Sequence, residues 1–140
     1  MKLLIGASSS KIFHLKEFAQ NLEKNNIECK VVFDSDYADG FPSRKIGNWF
    51  KSNSKFTELI NDFKPDAVFV DRQRHFGLEA IKNDIPLFVH LRGNYWEEMK
   101  MARKTLYSSP PKKLAINKWD DIASQVFQGS KIILPICKHL

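Results

Sequence analysis

The stretch Pro65–Leu91, PDAVFVDRQRHFGLEAIKNDIPLFVHL, decides the fold. Lys64-Pro65-Asp66 breaks the chain, and the four apolar residues Ala67–Val70 that follow read as a buried strand. Gly77–Asn83 is short and helical, and Asp84 leads into a second apolar run, Pro86–Leu91. Neither run alternates apolar with polar residues, which is the pattern of parallel strands covered on both faces. Strand, crossover helix and strand together make one βαβ unit.

Outward from this unit the same pattern repeats. Lys2–Gly6 is an apolar run closed by Gly, and Ala7–Ser10 is a small-residue loop. Ile12, Leu15, Phe18, Ala19 and Leu22 recur at helical spacing across Lys11–Lys24, and Asn25-Asn26 stops that helix. Cys29–Phe33 is a second strand, followed by an acidic loop, Asp34–Gly40, and by Phe41–Lys51, read as loop with one helical turn. Phe56, Leu59, Ile60 and Phe63 mark another helix, with Ser54 as its N-cap. Beyond Leu91 come a helix over Tyr95–Tyr107 and one through Trp119, Ile122, Ala123, Val126 and Phe127, closed by Gly129 at C′. Ile132–Ile136 is the fifth strand. The chain of 140 residues is one domain's worth. It is expected to form an α/β, Rossmann-like doubly wound five-stranded parallel sheet with right-handed crossovers. The expected strand order is 3-2-1-4-5, with a switch point between strands 1 and 4.

The net charge of +6 favours anionic partners, although solubility alone accounts for it equally well. With 43% hydrophobic residues the chain is not disordered. Cys29 and Cys137 stand far apart without a CxxC, so neither a metal nor a disulfide framework is expected, and a reducing, cytoplasmic setting follows. No apolar run approaches the ~18 residues of a membrane span.

The two rims of such a sheet differ here. The helix-to-strand turns are bland, whereas the strand-to-helix rim gathers Ser8–Ser10, Asp34, Asp36, Tyr37, Arg44, Asp71, Arg72, Arg74, His75, His90, Arg92, Asn94 and Trp96. Open α/β sheets bind ligands along that rim. Ser8, Ser9 and Ser10 lie where the first strand meets its helix, suited to an anion or to plain N-capping. No GxGxxG or GxxxxGK[ST] pattern is present, which disfavours a dinucleotide site and a P-loop. Phe13 lies opposite the apolar stripe of that helix and suits a cleft wall, and His14 lies on the flank of the stripe. Asp71 holds the place of the phosphoacceptor in response-regulator receivers. Ala7-Ser8 and Pro135 stand where that chemistry needs carboxylates and a lysine, so no Mg²⁺ pocket can form. Asp71 is instead expected to orient Arg72 or Arg74, or to bond a sugar hydroxyl. His90 ends a strand, where it either contacts substrate or bonds a neighbouring carbonyl. Arg92 suits a phosphate, and Gly93 permits close approach. Phe41, Ile46, Trp49 and Phe50 interleave with Arg44, Lys45 and Lys51, a mix fit for an interfacial contact with an anionic membrane, for a nucleic-acid stacking patch, or simply for packing under the next helix. Acidic residues on the same rim argue against nucleic acid.

The stretch Leu3–Ser10 leading into Phe13-His14, PDAVFVD (Pro65–Asp71), IPLFVHLRGNYW (Ile85–Trp96) and the closing IILPICKHL (Ile132–Leu140) together resemble the N-terminal domain of a GT-B glycosyltransferase, most like the family 4 retaining enzymes, including an archaeal branch. The resemblance covers essentially the whole chain. It implies that residues 1–140 form the acceptor-side domain, with the donor sugar nucleotide held by a C-terminal domain outside this chain. Transfer would retain the anomeric configuration, usually without a metal and with no further cofactor. The family's strand-4 His, beside the donor sugar, carries over to His90 as the catalytic candidate. Ala7–Ser10 would lie near donor phosphates and acceptor, with His14, Asp71, Arg72, Arg74, His75, Arg92 and Trp96 lining the substrate pocket. Two departures stand out: the glycine-rich turn is here Gly6-Ala7-Ser8-Ser9-Ser10, and the common His-Asp pair is here His90-Leu91. The alternative is a stand-alone α/β module binding a phosphorylated small ligand or nucleotide.

Overall fold

In the computed structural model, which describes residues 1–38 and 54–136, all four residues of β3 (Ala67–Val70) are buried. Val68 and Val70 face one side of the sheet and Ala67 and Phe69 the other. A strand this apolar on both faces belongs in the middle, and it pairs in parallel with β1 (Lys2–Ala7) and β4 (Leu87–Leu91). β2 (Glu28–Phe33) pairs with the other side of β1, and β5 (Ile132–Pro135) with the far side of β4. The order is therefore β2-β1-β3-β4-β5, not 3-2-1-4-5. The physical reason lies in β2: Glu28 and Lys30 tolerate only an edge, which leaves the uncharged β3 for the centre. The switch point moves with it, to between β1 and β3.

The sheet is all-parallel and flanked by helices on both faces, an α/β doubly wound, Rossmann-like arrangement. α1 (Ile12–Glu23) covers one face through Leu15 and Ala19. α3 (Ser54–Phe63), α4 (His75–Lys82) and α6 (Pro110–Gly129) cover the other, and α5 (Tyr95–Thr105) packs on α6. The helix-to-strand turns close on Asn26, Lys64 and Asp84, each in the left-handed region. The acidic segment expected as a loop instead begins with a short helix, α2 (Asp34–Tyr37). Asp39, the 41–51 aromatic and basic run, Cys137 and His139 lie outside the described residues.

Two further expectations change. β5 is exposed along its length, because it ends the described sheet and no described helix covers it on the α1 side. Gly129 ends α6 with no left-handed φ. A Cβ there would come within 2.7 Å of the Ile81 side chain, so its role is helix contact. Gly6 lies in β1 as expected, and the strand runs one residue further, through Ala7. A Cβ on it would stand 2.6 Å from the Phe76 ring, which is itself wedged edge-on against Phe56 at 4.9 Å. Both rings are fully buried, so neither can yield. Gly6→Ala should therefore cost about 1–3 kcal/mol in urea unfolding. Adding Phe76→Leu should recover part of that loss, and two simply additive losses would contradict the contact.

Candidate functional site

The parallel register builds the site. Val70 pairs with Val89 and with Gly6, so the next residues, Asp71, His90 and Ala7, stand level across three strands. Asp71 is 3% exposed. Its Oδ1 accepts a hydrogen bond from His90 Nδ1 at 3.2 Å, and the Arg92 guanidinium pairs with the same oxygen through Nε. A carboxylate offers acceptors only, so this bond fixes the imidazole proton on Nδ1 and leaves Nε2 for a second partner. The His90 ring lies over Phe69, with centroids 6.2 Å apart, which sets its plane. His90 and Arg92 each keep roughly a quarter of the side chain in solvent, at 27% and 22%. A buried anion thus aims two half-buried donors at the rim.

Asp71 was expected to orient Arg72 or Arg74. Arg74 instead pairs with Asp34 at 3.8 Å, because Asp34 opens α2 directly after β2. Burial pushes the Asp34 carboxyl above its ordinary range. The Arg74 charge and the Ser35 N–H oppose that shift, and the negative charges of Asp71 and Asp36 add to it.

Beside this cluster runs a groove of about 220 Å³, with Arg72, Gln73 and Arg74 on one side and Tyr95, Glu98 and Trp119 on the other. A smaller recess of about 20 Å³ continues it to Arg92 and Gly93. The Glu98 carboxylate occupies the space a Cβ on Gly93 would need, so the glycine admits a side chain rather than foreign backbone. The far wall is held by one network. Tyr95 Oη donates to Asp120 Oδ1 at 2.9 Å, and Arg103 pairs with the other oxygen of Asp120 at 2.8 Å. Burial and then the bond to Asp120 drive the Tyr95 phenol far above its usual range, so it stays protonated. α5 starts cleanly, with Asn94 Oδ1 accepting from the Glu97 N–H and two glutamates in its first turn.

Of the residues singled out from sequence, Asp71, His90 and Arg92 meet directly, Arg72 and Arg74 line the groove, and His75 opens α4 next to them. Ser8, Ser9 and Ser10 lie on the same rim after β1. They do not cap α1, whose N-cap is Lys11 without a side-chain bond; the Ser8 and Ser10 hydroxyls bond each other at 3.4 Å. His14 is exposed on α1 with its ring edge-on to Phe13, apart from the cluster. Trp96 stacks on Phe127 instead of lining the groove. Sequence reasoning missed Tyr95, Glu98 and Trp119 as groove walls. Tyr95 and Glu98 follow Arg92-Gly93 closely and carried that signal, whereas Trp119 read only as helix core. No family model matches the chain, and no curated protein or solved structure is significantly similar to it.

The raised Asp34 carboxyl fixes a pH dependence. The folded state takes up this proton at a higher pH than the unfolded chain does, so the group gains folding stability as pH falls through that window. The urea stability of the native protein relative to Asp34→Asn should therefore improve between pH 7 and pH 4. A decline over that interval would contradict the burial that raises this carboxyl.

Proposed function

We propose that the chain is the acceptor-side α/β domain of a retaining glycosyltransferase, moving a sugar from a sugar nucleotide to an acceptor. The observation that carries the reading is the buried Asp71 carboxylate, hydrogen-bonded to His90 and ion-paired with Arg92 beside a groove at the rim. Asp71 positions the imidazole so that Nε2 meets a hydroxyl of the donor sugar. The Arg92 Nη groups face the departing diphosphate, whose charge grows as the bond from the anomeric carbon to the phosphate oxygen breaks. The acceptor oxygen forms its bond on the same face of that carbon, and its proton leaves with the diphosphate. At about 220 Å³ the groove is smaller than the ~300–1,000 Å³ of a whole small-molecule pocket, so it takes one acceptor ring rather than the entire donor. Tyr95 and Trp119 give that ring an apolar wall, and Arg72 and Glu98 bond its polar groups. The nucleotide belongs to a second domain, as the family resemblance implies.

The test is transfer from a panel of sugar nucleotides by the longest native reading frame containing this chain. His90→Ala and Asp71→Asn should each lower kcat by about 10²–10³. Full activity in His90→Ala would remove His90 from the reaction, and transfer from no sugar nucleotide would remove the reading.

The gathering of Arg72, Arg74 and Arg92 around the groove favours a second reading, a stand-alone module for a phosphorylated small ligand or nucleotide. Calorimetric titration of the 140-residue chain with sugar phosphates and nucleoside diphosphates separates the two. Micromolar binding lost in Arg72→Ala and Arg92→Ala, with no transfer by the longer frame, supports the module.

A further inference from the structure

The charge of this protein is not spread over it. Residues 99–119 carry six basic side chains and no acidic one, a surplus equal to the net charge of the chain; elsewhere basic and acidic residues balance. In space this run is a hairpin. Tyr95 bonds Asp120 and Arg103 bonds Asn117, so α5 and α6 run antiparallel and their elbow, residues 106–109, lies at the free end. Ile122 and Val126 anchor the second half of α6 in the core, whereas residues 110–114 are all exposed.

Part of the charge has a structural reason. Lys100, Arg103 and Lys118 pair with Glu97, Asp120 and Asp121, and Arg103 and Lys104 suit the negative end of α5. Lys112 and Lys113 do not fit that account. They occupy the first turn of α6, where the helix dipole favours acids and none is present. Lys104, Lys112 and Lys113 have no ion pair among the described residues. Interleaved with them are three long apolar side chains held in solvent: Met101 at 68%, Leu106 at 66% and Leu114 at 72% exposed.

We infer that the α5–α6 elbow docks on an anionic lipid bilayer, with the lysines at headgroup level and Met101, Leu106 and Leu114 entering the acyl boundary. The surface joins those cations to exposed flexible hydrocarbon, which matches a bilayer interface. A nucleic acid would reward stacking aromatics instead. The only aromatic at the elbow, Tyr107, is half-buried against the groove. Among the described residues no helix is long and apolar enough to cross a membrane, so this contact is peripheral. Leu106 and Tyr107 also line the groove, so docking brings its mouth to the headgroups. On the transferase reading, and resting on it, the acceptor is then lipid-linked; docking itself does not depend on that reading.

The experiment is co-sedimentation of the 140-residue chain with vesicles of phosphatidylcholine alone or with 30% phosphatidylserine. The anionic vesicles should bind at least about tenfold better, and less so as salt rises. Changing Lys104, Lys112 and Lys113 together to Glu should abolish that preference; the helix dipole favours glutamates at 112 and 113, in the first turn of α6, and opposes only the one at 104, in the last turn of α5. Changing Lys16, Lys24 and Lys55 to Glu, an equal change in net charge on other exposed faces, should alter binding less than about twofold. Leu106→Ser with Leu114→Ser should weaken binding while preserving its salt dependence. Equal binding to both vesicles, equal loss in the two lysine variants, or preferential capture by single-stranded DNA in competition would each overturn the assignment.

Discussion

A carboxylate taken out of water must be met by donors, and Asp71 is the place where this chain faces that constraint. Its burial is forced by topology: it follows the innermost strand at the switch point, level with the ends of β1 and β4. Removing water from an isolated carboxylate costs several kcal/mol even after relaxation, so the arrangement persists only because His90 supplies a hydrogen bond and Arg92 an opposite charge. The dependence is mutual. Without Asp71, the imidazole loses the bond that fixes its tautomer and the guanidinium loses its anchor, while both remain beside Phe69 and the groove. Losing one partner of such a buried set costs about 3–5 kcal/mol. The geometry of the rim and the stability of the fold are therefore tied to the same oxygen atom.

Much of the fold was legible because it rests on local apolar runs. β3 was read to the residue, and the helix faces of Leu15, Phe56, Leu59 and Phe63 followed from periodicity alone. Strand order was not, since it depends on which strand tolerates an edge. Glu28 and Lys30 held that information, but Lys30 was weighed as part of the run Cys29–Phe33 and Glu28 fell just outside it. Gly6 was read as the end of the first strand, but the need for its missing Cβ was not legible, because the ring that fills that space, Phe76, lies 70 residues away. The exposed β5 went unread because a continuous apolar strand looks the same whether or not anything covers it.

The candidate site divides in the same way. Asp71, His90 and Arg92 were legible as strand-end residues, because parallel register carries such residues to one rim. Their partners were not, since Asp71 lies next to Arg72 in the chain yet bonds residues from the neighbouring strand. Tyr95 and Trp119 become one wall only through Asp120, a tertiary bond with no sequence signature. His14 and Trp96 point elsewhere, as amphipathic helices leave some aromatic residues on their outer faces.

The most direct test of the Asp71 account is nitrogen-15 NMR of the His90 imidazole in the native protein and in Asp71→Asn. The account predicts a native ring protonated on Nδ1 and accepting at Nε2, and a change in tautomer balance when the carboxylate becomes an amide. A native ring carrying its proton on Nε2, or one indifferent to the substitution, would contradict it.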